Sequence, residues 1–73
     1  MDLGERLAAL NRQLKVGEDV FEKIPLHKTS KTETIGTVIH SGFEIIKEEL
    51  NRAHLYLHLK KTSAPGSAAE LLR

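Results

Sequence analysis

The sequence predicts a mostly α chain with one short strand, an intertwined homodimer built around a long second helix. Three observations carry that expectation. Ile35, Val38, Ile39, Phe43, Ile46, Leu50, Ala53 and Leu57 recur at three- and four-residue steps, the spacing of one helix face. Leu10, Leu14 and Val16 share one parity while Asn11, Gln13 and Lys15 share the other, the period of a half-buried strand. A chain of 73 residues without cysteine has neither a large core nor disulfides to stabilise it, which leaves oligomerisation as its support.

In order, residues 1–9 are an N-terminal arm or short helix, with Leu3, Leu7 and Leu10 at helical spacing and Gly4 weakening it. Residues 10–61 form the domain: a strand over 10–16, a short helix over 18–24 and the long helix over 30–60. A helix running from residue 2 to 15 competes with the strand. Glu18 and Asp19 suit a helix N-terminus, and Pro25 stops or kinks what precedes it. Ser30 followed by Glu33 makes a capping-box start for the long helix. Gly36 and Gly42 inside it each cost about 1 kcal/mol relative to alanine, which points to close backbone approach at a dimer axis. Residues 62–73, rich in Ser, Ala, Pro and Gly, form a flexible tail.

Eleven Lys/Arg balance ten Asp/Glu, a formal charge of +1, so net charge alone does not indicate a nucleic-acid partner. Without cysteine there are no thiolate zinc sites. No apolar run approaches the roughly 18 residues of a membrane span, and the start lacks a signal peptide's basic and apolar regions. The expected location is the cytoplasm, with no membrane partner.

The segment Ser30-Lys31-Thr32-Glu33-Thr34-Ile35-Gly36-Thr37-Val38-Ile39-His40-Ser41-Gly42-Phe43 closely resembles the second helix of ribbon-helix-helix proteins. Leu14-Lys15-Val16-Gly17-Glu18-Asp19-Val20 resembles that family's strand end and entry into its first helix. The resemblance covers about residues 10–50. It departs in two places: the segment before the second helix is about one turn short and contains Pro25, and Arg12 stands where an apolar residue is usual. It implies a homodimer that binds double-stranded DNA sequence-specifically and regulates transcription as a repressor. An antiparallel two-stranded ribbon would enter the major groove. Relatives of this kind are mostly repressors, antitoxins or accessory proteins of plasmids and viruses; a viral source would place the chain in the host cytoplasm.

On that expectation Asn11, Gln13 and Lys15 face out of the ribbon to read bases, since amides pair with adenine and lysine reaches guanine. Arg12, Lys28, Thr29, Ser30 and Lys31 hold phosphates around the start of the second helix. The dimer core is Leu14, Val16, Val20, Ile24, Ile35, Val38, Ile39, Phe43, Ile46 and Leu50. The alternative function is a helical dimerisation or adaptor protein, or an antitoxin, acting through protein contacts. The apolar stretch from Leu50 to Leu59 extends the dimer core along the long helix; on the alternative reading that stretch, or the tail, would dock the partner. His54 and His58 share a helix face but lack a third metal ligand, and nothing positions His40, Ser41 and Asp19 as a nucleophilic system. No catalysis, metal or cofactor is expected.

Overall fold

Asp2 starts the first helix: its carboxylate accepts the Glu5 N–H at 2.8 Å, satisfying one of the donors a helix start leaves free. The helix, α1, runs Leu3–Arg12 and points Leu7 into the core. Its C-terminal end is held from a distance. The Lys61 ammonium donates to Asn11 O at 2.8 Å and to Leu14 O at 2.7 Å, placing a cation where the helix dipole is negative.

In the computed structural model, which describes residues 2–27 and 29–64, the remaining elements follow as β1 (Asp19–Pro25), α2 (Lys31–His40), β2 (Phe43–Asn51) and β3 (His54–Lys61). The fold is therefore α+β, with a three-stranded antiparallel sheet ordered β1-β3-β2. It replaces the mostly α ribbon-helix-helix arrangement expected from the sequence. Among the described residues no helix is long and apolar enough to cross a membrane.

Three expected elements change. Residues 10–16 are not a strand: the helix continues to Arg12 and then turns, closer to the competing helix over 2–15. Leu10 and Leu14 lie four apart, a separation that shares a face in a helix as well as in a strand. Residues 18–24 are not a helix. Val20, Glu22 and Ile24 point to the helix side and Phe21 and Lys23 away from it, so the period is two. Pro25 sits at the end of this edge strand, where its missing N–H costs no ladder bond.

The helix expected over 30–60 is a helix followed by a hairpin. Ser30 caps α2 as the motif indicates, accepting the Glu33 N–H at 3.1 Å. Gly42 then ends it in a left-handed conformation, φ 89°, with its N–H bonded to Ile39 O at 3.1 Å, as glycine commonly does after a helix. Beyond it the two strands pair Phe43 with Lys61 through to Asn51 with His54, with a register shift between Ile45 and Lys47. Leu55, Leu57 and Leu59 alternate with Tyr56, His58 and Lys60, and all three leucines are buried.

The core comprises Leu7, Ile24, Val38, Phe43, Leu55, Leu57 and Leu59, with Leu3, Leu10, Leu14, Val20, Leu26, Ile35 and Ile45 packed against it. Burying each large side chain is worth about 1.5–3 kcal/mol. This core lies within one chain, between the helices and one sheet face. Of the expected dimer core, Ile24, Val38 and Phe43 serve it fully, and Leu14, Val20 and Ile35 are half-buried at its border. Val16 (68% exposed), Ile39, Ile46 and Leu50 face solvent, because the turn, the far side of α2, the register shift and the hairpin end carry them outward.

Candidate functional site: the outer face of the sheet

The helices cover one side of the sheet, and strand parity decides what stands on the other. Along β1, Asp19, Phe21, Lys23 and Pro25 are exposed and alternate with the core-facing residues. Antiparallel pairing sets Phe21 opposite His58 and Lys23 opposite Tyr56. On the other side of β3, His58 meets Lys47 and Tyr56 meets Glu49. The open face thus carries two adjacent central rows, Phe21–His58–Lys47 and Lys23–Tyr56–Glu49.

These rows make direct contacts. The Phe21 and His58 rings stack with centroids 4.2 Å apart and planes 14° from parallel. Lys23 Nζ stands 5.8 Å from the centroid of the Tyr56 ring, within cation–π range. A groove of about 320 Å³ runs between them, bordered by Lys47 and Glu49. Phe21 is 74% exposed. Together with Tyr56 it leaves aromatic surface open to solvent, whose burial against a partner would be favourable.

His58 is fixed from its other side as well. Its Nε2 lies 2.6 Å from Asp19 Oδ2. That hydrogen bond holds the Asp19 carboxyl below its ordinary value of 3.8, assisted by a backbone hydrogen bond at Asp19 and the positive charges of His58 and Lys60; desolvation opposes it. The Asp19 hydrogen bond orients the His58 ring on which Phe21 stacks.

The DNA-reading residues expected from the sequence do not share a strand face. Asn11 is fully buried in α1, and its amide donates to Ser41 O at 2.8 Å and Ser63 O at 3.0 Å, so it is unavailable to a base. Gln13 and Lys15 are exposed beyond the helix end. Of the phosphate-binding set, Arg12 is exposed at the end of α1, Ser30 is the cap of α2 and Thr29 is half-buried. Lys31 pairs with Glu48 at 3.1 Å, and Lys28 lies outside the described residues.

His54 and His58 share the outer face of β3, but four residue steps along the strand set them about 13 Å apart, too far for one metal ion. Among the described residues no cluster of three or more candidate metal ligands forms. Ser41 donates its hydroxyl to Thr37 O at 2.8 Å while Asp19 pairs with His58, so no nucleophile–base–acid relay links them. The stretch from Leu50 to Leu59 divides. Leu55, Leu57 and Leu59 enter the core, and Tyr56 and His58 join the outer face. Of the tail, residues 65–73 lie outside the described residues.

Phe21, Lys23 and Lys47 were not singled out as site residues from the sequence. The signal that would find them is the alternation of His54, Tyr56, His58 and Lys60 with three leucines, which identifies β3 as a strand with one dry and one open face. No protein-family model, curated protein or solved structure matches this chain.

Proposed function

We propose that this chain is a protein-interaction module, not an enzyme, and that its working surface is the outer face of the sheet. The observation that carries this is the ring of Phe21, left 74% exposed while stacked on His58. A rigid aromatic anchor next to a shallow groove suits a polypeptide partner, since anchors of this type dominate protein interfaces. The charges point the same way. Lys23, Lys47 and Lys60 stand among Asp19, Glu44 and Glu49 on the same face, a mixture that does not favour a polyanion, whose binding rests on clustered cations. The major-groove ribbon has no counterpart, because residues 10–16 are helix and turn.

The test is site-specific photo-crosslinking in cells expressing the full chain. A benzophenone side chain goes at position 21, with position 13 at the exposed end of α1 as control. Polypeptide adducts at position 21 and none at position 13 are expected. Adducts that disappear on nuclease treatment would favour nucleic acid instead, and an unreacted position 21 would reject the surface altogether.

A further inference from the structure

We propose that the partner taken by this face is a second copy of the same chain, packed sheet on sheet about a two-fold axis that crosses the strands. The inference rests on the interaction-module reading and adds the identity of the partner.

The argument starts from the order of side chains in the two central rows. Phe21, His58 and Lys47 form one row, and Lys23, Tyr56 and Glu49 form the next. Place a two-fold axis in the plane of the interface, perpendicular to the strands and between these rows. Each row then faces the other row of the second copy, strand on like strand. Phe21 meets the partner's Lys23, His58 meets the partner's Tyr56, and Lys47 meets the partner's Glu49. By symmetry each contact occurs twice. All are favourable types: cation on aromatic ring, ring on ring, and ammonium on carboxylate. The flanking rows bring Asp19, Lys60 and Glu44 over Pro25, His54 and Asn51, so no carboxylate meets a carboxylate and no lysine meets a lysine.

The other simple arrangement has the axis along β3. It pairs Lys23 with Glu49 and Phe21 with Lys47, but sets Lys60 on its own copy and Asp19 against Glu44. Like charges face each other in that case, which costs affinity. The charge order therefore favours the axis that crosses the strands, where no like-charge contact offsets the ion pairs. Aligned packing of two sheets, with strands within about 30° of each other, is an ordinary architecture that buries both inner faces. Such an interface uses three strands per copy and falls at the small end for a stable complex, so assembly depends on concentration.

The pairing of Lys47 with the partner's Glu49 gives a test that folding defects cannot imitate. Wild type, Lys47→Glu and Glu49→Lys are each examined by sedimentation equilibrium from roughly 10 µM to 1 mM, with circular dichroism to verify the fold. Wild type is expected to dimerise, and each variant to dimerise at least tenfold more weakly because two like-charge contacts replace two ion pairs. An equimolar mixture of the two variants restores opposite charges at both contacts and recovers the dimer as a heterodimer. A monomeric wild type, variants that dimerise as well as wild type, or a mixture no better than its components would each overturn the proposal. A monomeric wild type that still crosslinks another polypeptide at position 21 removes the second copy and leaves the interaction surface standing.

Discussion

The side-chain amide of Asn11, in the last turn of α1, donates 2.8 Å to the carbonyl of Ser41 at the end of α2 and 3.0 Å to Ser63 beyond β3. One buried residue thereby ties together three segments far apart in sequence, and satisfies two backbone acceptors. Its own Oδ1 is buried and has no hydrogen-bond partner among the described residues. Replacing Asn11 with alanine leaves both carbonyls unmatched and is expected to cost about 2–3 kcal/mol. Urea denaturation of the two proteins measures it; a loss below about 0.5 kcal/mol, the range of neutral surface changes, would show that the amide is not a tie.

Gly42 sits against the same junction. A Cβ placed on it would approach Asn11 Nδ2 to 2.7 Å and Ser63 O more closely still, in a backbone conformation that favours glycine. Gly42→Ala is expected to destabilise by more than about 1 kcal/mol, the usual helix-end cost, because steric displacement adds to strain. Thermal unfolding reads the effect. A neutral outcome would mean that the crossing of residues 62–64 over Gly42 is loose.

The Asp19–His58 pair sets an acid limb. The folded carboxyl has a pKa below the ordinary 3.8, so folding favours the ionised form. The stabilisation is present above 3.8 and is lost as pH falls through the lower, folded value. Asp19→Asn is expected to unfold at a lower temperature than wild type near neutrality, with the gap closing below pH 3.8. Melting curves at a series of pH values decide it, and a gap that is constant down to the most acidic point would exclude this pair as the source.

Burial separates two apolar residues that sequence patterning treats alike. Val16 is exposed beyond α1 and Leu57 is 2% exposed in the core. Val16→Ser is expected to change stability by less than about 0.5 kcal/mol, whereas Leu57→Ala should cost about 2–5 kcal/mol. Equal losses in chemical denaturation would point to a buried environment for Val16 and revive an intertwined core.

The start of α2 was legible because Ser30 and Glu33 signal it locally, through a cap that needs no distant contact. The strands were not, for a geometric reason. Residues four apart share a face in a helix and in a strand alike, so Val20 with Ile24, or Leu10 with Leu14, support either form. From Phe43 onward the apolar residues fit both periods, and only Gly42 at the helix end and the alternating leucines of β3 separate them. Asn11 shows the opposite failure, since a polar residue on an apparent outer parity is drawn inside by two backbone acceptors. The outer face was partly visible in the apolar run around Tyr56. Phe21 could not be joined to His58 without the register, which pairs residues 37 positions apart.

The order β1-β3-β2 also governs how the domain is assembled. The central strand is the third of the three to be synthesised, and among the described residues both earlier strands pair only with it. A nascent chain that has exposed β1, α2 and β2 holds two strands with no neighbour and an uncovered apolar surface. Ladder formation waits for residues 54–61: the β2–β3 hairpin then closes locally, whereas β1 must join β3 across the intervening α2 and β2, and such non-local pairing is the intrinsically slower step. Any stall or truncation ahead of His54 therefore yields a species with neither ladder and exposed aggregation-prone segments, rather than a smaller version of the folded domain.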